Sequence, residues 1–127
     1  MVRFSNAFEE RNDCRLSLDA EINQDTLLVR LEGDLDLSVT DYLRNSLEDM
    51  LDKNKTKHLV INLRNVTFID SSGLGVILGR YNRVSAQGGL VSLVGAKPHV
   101  RRVLALSGLL TIMKEYSSEE AALSRVG

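Results

Sequence analysis

Cysteine occurs once, at Cys14, proline once, at Pro98, and tryptophan not at all. A lone thiol cannot close an internal disulfide, so a reducing, cytoplasmic setting is expected. Aromatic residues make up only 5% of the chain, which leaves the core to aliphatic side chains. Charge of one sign is also missing: Lys and Arg total 16, Asp and Glu 17, for a net charge of −1. That balance gives no general basic field for direct nucleic-acid or membrane binding. No apolar run approaches the roughly 20 residues of a membrane span. The start, Met1 to Asn6, has no signal-peptide apolar block. The only histidines are His58 and His99. No cluster has metal-ligand spacing, and scattered Asp residues are weak Mg²⁺ candidates. The hydrolase pattern Gly-x-Ser-x-Gly and the nucleotide loop Gly-x-x-x-x-Gly-Lys-Ser/Thr are both absent. No metal or cofactor is expected.

What is present is enough for one domain: 127 residues, 43% hydrophobic, a size that buries roughly two-thirds of its unfolded surface. Residues 1–13 show no clean period and read as a loose arm or a short edge element, with the domain proper at 14–127. Leu16, Leu18, Ala20 and Ile22 alternate with polar residues, as do Leu27, Val29 and Leu31. With a turn at Asn23-Gln24-Asp25, these form a hairpin. Ser38 with Asp41 reads as a capping box for a helix striped by Val39, Leu43, Leu47, Met50 and Leu51, ending at Asp52 to Lys55. Leu59 to Leu63 is nearly continuous in apolar residues, the mark of a strand covered on both faces. It is interrupted at Arg64-Asn65 and resumes from Val66 to Ile69. A second helix carries Leu74, Ile77, Leu78, Tyr81 and Val84 and closes at Gly88-Gly89. Leu90 to Val94 is a strand, and Pro98 opens a third helix that Gly108 ends. Thr111 to Met113 reads as a last strand, and Ser117 with Glu120 as a capping box for a terminal helix. The order β-β-α-β-α-β-α-β-α specifies an α/β fold: a mixed sheet of about five strands, an N-terminal hairpin followed by alternating βα units, with about four helices.

The informative stretch is Phe68-Ile69-Asp70-Ser71-Ser72-Gly73-Leu74-Gly75-Val76, where an apolar strand gives way to hydroxyls, glycines and a helix. Asp and Ser before a helix are ordinary caps. Gly73 and Gly75 keep the surrounding surface low enough for another protein to approach, although Gly75 and Gly79 could equally serve close packing. If the strand ending at Asp70 neighbours the one ending at Asp34 and Asp36, three carboxylates lie near two hydroxyls. A serine nucleophile needs a base within reach. His58 starts the strand that leads to the serines and so lies at the far end of the sheet, and His99 opens a different, exposed helix. Lys97, Arg101 and Arg102 form a small basic patch best read as solvated surface.

The segment Asp70 to Tyr81 resembles the phosphorylation segment of the bacterial anti-sigma factor antagonists, the STAS domain family, and most of all its sporulation branch, which controls sigma F. Gly33-Asp34-Leu35-Asp36, Leu59 to Leu63 and Ser107-Gly108-Leu109 agree with it, and the likeness runs from about Leu16 to the C-terminus. The resemblance implies a single STAS-type domain that is not an enzyme. Its unphosphorylated form would bind an anti-sigma factor that is also a serine kinase, releasing the sigma factor. That kinase would use ATP to phosphorylate Ser72 and then let go, and a serine phosphatase would reverse the step. Asp70, Ser71 and Gly73 would support the phosphosite. Asp34, Asp36, Leu74 and Gly75 would meet the partner. The alternatives are a STAS module of another partner-switching pathway, such as stress control, or a small nucleotide-binding enzyme.

Overall fold

The computed structural model describes residues 2–7 and 16–126. Cys14 and residues 8–13 of the expected arm lie outside them. Six strands form one sheet in chain order: β1 (Val2–Ala7), β2 (Ser17–Asn23), β3 (Thr26–Leu35), β4 (His58–Ile69), β5 (Val91–Val94) and β6 (Lys114–Tyr116). The five expected strands are joined by β1, which pairs antiparallel with β2 on the sheet edge. The expected hairpin joins β2 to β3, with Gln24 in the left-handed region at φ 57. From β3 onward all pairs are parallel.

The helices are α1 (Thr40–Asn54), α2 (Ser71–Ala86), α3 (Pro98–Leu106), the single turn α4 (Leu109–Ile112) and α5 (Glu119–Val126). Strand alternation sends Leu27, Val29, Leu59, Ile61 and Leu93 into one aliphatic core beneath α1, α2 and α3. The intervening Leu28, Val60 and Val94 pack under Ala122 of α5 on the other face. Burial on both faces explains the unbroken apolar run at the start of β4.

Four local expectations are corrected. Thr111 to Met113 is not a strand. Gly108, at φ 88, restarts a helical turn there, and Thr111 Oγ1 donates to the Gly108 carbonyl at 2.6 Å, so the last strand begins at Lys114. Arg64-Asn65 does not break β4, which absorbs the irregularity as a register shift against β3. Ser38 caps no helix. Asp36 takes that role for a 3₁₀ turn at Leu37–Val39, accepting from Ser38 N at 3.0 Å. At α5 the capping serine is Ser118, whose Oγ accepts from Ala121 N at 3.1 Å. This leaves Glu119 free to accept from both Arg30 Nε and Arg30 Nη2, at 2.8 and 2.9 Å, and from Asn62 at 2.6 Å. The Arg30 fork holds the Glu119 carboxyl below the usual carboxylate range, and Glu119 in turn raises Arg30. The network pins α5 to the middle of the sheet.

The buried face of α2 is also rotated from the expected stripe. Gly73, Val76, Ile77, Arg80 and Val84 face inward, while Leu78 is exposed. Arg80 is 9% exposed and forms an ion pair with Glu48 of α1 at 2.9 Å. Burial lowers its affinity for the proton, and Glu48 partly offsets this. Arg83 reaches Glu48 and Asp52 from the next turn. Two arginines therefore fasten α2 to α1 and fix the direction in which the start of α2 points.

Candidate functional site

The site begins with a strand end and a missing side chain. Leu35 and Ile69 are paired neighbours at the carboxyl ends of β3 and β4, so the Asp36 and Asp70 loops leave the sheet side by side, as expected from the topology. Asp70 N donates to the Leu35 carbonyl at 3.2 Å, tying the two loops together. Asp70 then caps α2: its Oδ1 accepts from Ser72 N at 2.9 Å and Gly73 N at 3.1 Å. Two of the free amides of the helix start are thereby satisfied.

Gly73 has a different role from the one its sequence context suggested. It is buried, and a Cβ built on it would lie 2.4 Å from the Leu35 carbonyl oxygen and 2.9 Å from Leu35 Cβ. Its bare backbone lets the first turn of α2 sit directly on the end of β3. Gly75 and Gly79 have nothing within 4 Å of an added Cβ, so neither serves close packing. Gly75 is exposed, and with Ser71 and Leu78 it makes one outward helical face at spacings of four and three residues. Leu78 is 38% exposed, Leu37 of the Asp36 loop 74% and Phe68 48%. Leu74 is half-buried against the core, which gives it a packing contact besides any partner contact.

The two serines differ. Ser71 is exposed at the first position of α2, and Ser72 behind it is half-buried. Asp34 departs from the expected cluster. Strand alternation turns it away from Leu35 and α2, and its carboxylate accepts from Thr67 Oγ1 at 2.6 Å. Two carboxylates, Asp36 and Asp70, therefore flank the hydroxyls. His58 lies at the far end of β4, where its Nδ1 accepts from Leu90 N at 2.9 Å. His99 is exposed, as expected, but also donates from Nε2 to the Thr67 carbonyl at 2.7 Å, a contact the sequence did not signal. Among the described residues no group of three or more His, Cys, Asp or Glu side chains could hold a metal ion. No described helix is long and apolar enough to cross a membrane. The arrangement offers an exposed hydroxyl at a helix start, on a low surface with apolar side chains and two carboxylates around it.

Residues 17–122 match the model of the STAS domain, and the chain belongs to the STAS domain family. It is 39% identical over 111 residues to the anti-sigma F factor antagonist of Paenibacillus polymyxa, covering 87% of this chain and 95% of that protein. Among solved structures it is similar to the anti-sigma factor antagonist SpoIIAA in its unphosphorylated form, with a TM-score of 0.76 and 31% identity over 86% of this chain and 95% of the other. It is also similar to the Bacillus cell fate determinant SpoIIAA in the phosphorylated form, with a TM-score of 0.69 and 30% identity over 87% and 99%.

Proposed function

We propose that this chain is an anti-sigma factor antagonist whose binding is switched off by phosphorylation of the serine pair at the start of α2. The unmodified form binds an anti-sigma factor that is also a serine kinase and so frees a sigma factor. The kinase spends ATP to modify the antagonist, and a serine phosphatase returns it to the binding form. The chain itself catalyses nothing. Relatives carrying this activity in their names support the reading, as does a relative known in unphosphorylated and phosphorylated forms.

The observation that carries the proposal is the outward face of Ser71, Gly75 and Leu78 beside Leu37 and Asp36. Within the pair, the family resemblance points to Ser72, the second serine of the motif, which is half-buried behind the exposed Ser71. We take Ser72 as the acceptor and Ser71 as its support. Asp70 holds the turn, and Ser72 contributes its backbone N–H to the cap.

A phosphate here adds about −1.5 to −2 charges. The fold tolerates it, because the amides and dipole of a helix start favour an anion by roughly 0.3–1 kcal/mol. An interface does not. The new charge loses hydration there at an effective cost of several kcal/mol, and Asp36 and Asp70 add like-charge repulsion. About 2.7 kcal/mol is a hundredfold in affinity, so weakening of that order is expected without refolding.

Incubating the chain with the anti-sigma factor it is proposed to bind, and with labelled ATP, tests the proposal. Ser72→Ala should abolish labelling and Ser71→Ala should retain it. The reverse pattern would move the acceptor to Ser71. Full labelling of the double variant would remove the switch from this helix start. The chain alone, with ATP, should release no phosphate.

A further inference from the structure

At the opposite end of the sheet from the serines a second concavity opens, and nothing in the partner-switching reading uses it. It has a volume of about 330 Å³ and is lined by Tyr81 and Ser85 of α2, Leu90 and Ser92 around the start of β5, Ile112 of α4, Lys114 and Tyr116 of β6, and Arg125 of α5. That volume is at the lower end of the range for small-molecule sites.

Three features point to a ligand. Ser92 is 4% exposed and lines the cleft, and its hydroxyl forms no hydrogen bond to a described residue, so it is available to a ligand there. The register pairs Ser92 with Lys114, which sets the two on the same face of the sheet. Lys114 and Arg125 form no ion pair with a described residue, and Lys114 Nζ instead lies 5.6 Å from the centre of the Tyr116 ring. Across the cleft, Leu90 is 52% exposed and Ile112 44%, an apolar wall in open contact with water.

We infer that this cleft binds a small organic anion, its phosphate or carboxylate held by Lys114, Arg125 and the Ser92 hydroxyl and its apolar body against Leu90 and Ile112. Two cations and a hydroxyl on one side, with bare aliphatic surface on the other, match a ligand that carries charge at one end only. The site lies at the amino ends of β5 and β6, whereas the serines follow the carboxyl end of β4, so the anion and the protein partner do not compete for surface.

Phenyl phosphate, benzoate, inorganic phosphate and benzyl alcohol are suitable probes, followed by amide chemical shifts of the isotopically labelled full chain. Phenyl phosphate or benzoate should move the Ser92, Lys114 and Tyr116 amides saturably, with a Kd on the order of 1 mM or tighter. Whichever of the two binds more tightly identifies the anionic group. Lys114→Met and Arg125→Met should each weaken binding roughly tenfold, the worth of one charge-assisted hydrogen bond, while leaving the rest of the spectrum in place. Ser92→Ala, a smaller change, should weaken binding with the charges intact. Inorganic phosphate binding as tightly as phenyl phosphate would overturn the apolar half of the site. Equal binding of benzyl alcohol would overturn the anionic half. Absence of saturation for both organic anions, or binding unaffected by loss of both cations, would overturn the whole inference.

Discussion

Gly73→Ala should destabilise the protein even though it replaces glycine by alanine inside a helix. In an open helical position that exchange gains about 1 kcal/mol. At Gly73 the new methyl would stand 2.4 Å from the Leu35 carbonyl oxygen and 2.9 Å from Leu35 Cβ. Real contacts of this kind lie near 3.5–4.0 Å, so about an ångström of movement is required. Both obstacles belong to the end of β3, held by parallel pairing with β4, and neither is the tip of a flexible side chain. Overpacking of this kind costs typically 1–3 kcal/mol. The net expectation is a loss of up to about 2 kcal/mol, or a fall in urea midpoint of up to roughly 1 M if m is near 2 kcal/mol/M. Gly79→Ala is the internal control, since nothing lies within 4 Å of its added Cβ. It should stabilise by up to about 1 kcal/mol. Equal stability of the two variants would refute the claim that Gly73 exists to seat α2 on β3. Gly75→Ala separates structure from recognition. It should stabilise the free protein as Gly79→Ala does while weakening partner binding, because its methyl emerges on the exposed face beside Ser71 and Leu78.

Asp70→Ala removes the side-chain cap from Ser72 N and Gly73 N and should cost about 1 kcal/mol in a chemical melt; no change would mean another group satisfies those amides. Glu48→Ala leaves the buried Arg80 without its ion pair and should cost about 1–3 kcal/mol, a range reduced because Glu48 is itself 36% exposed. Arg80→Met, which removes the buried charge instead, should cost less, and the opposite ranking would contradict the α1–α2 account. Glu119→Gln loses the charge-assisted fork from Arg30 and should destabilise by about 1–3 kcal/mol near neutral pH. Because the folded-state pKa of Glu119 is depressed, its contribution is present above the ordinary glutamate value of about 4.3. It is lost as pH falls through the folded pKa. The stability gap between wild type and Glu119→Gln should therefore close on acidification, and a gap constant down to acid pH would exclude an ionic origin.

Much of this architecture is written in periodicity. The alternation of Leu27, Val29 and Leu31, the unbroken run at Leu59 to Leu63 and the stripe of Leu43, Leu47 and Leu51 translate directly into burial, because one face of each element has only one core to enter. What periodicity did not carry depends on contacts between distant residues. Glu119 meets Arg30 from 89 residues away, and no local pattern distinguishes it from the exposed Glu120 beside it. Arg80 occupies an inward position because Glu48 waits on another helix, so a charge stands where the pattern calls for an apolar residue. The rotated face of α2 has the same origin. Once Gly73 is driven against Leu35, Leu78 has to point outward, and an apolar residue that reads as core becomes surface. At the site itself, the motif located the turn, the cap and both hydroxyls. Which hydroxyl is exposed, and that Asp34 faces Thr67, follows from strand pairing and helix phase, which are properties of the assembled fold.

The central claim is that charge at the start of α2 decides whether this protein binds its partner. The direct measurement is the affinity of the proposed anti-sigma factor partner for two forms of the full chain, unmodified and carrying phosphoserine at Ser72, compared at one ionic strength. The expected result is a Kd raised by about a hundredfold, near 2.7 kcal/mol, with superimposable circular dichroism spectra. Equal affinities would contradict the claim, and a lost spectrum would show that phosphate breaks the fold instead of the contact.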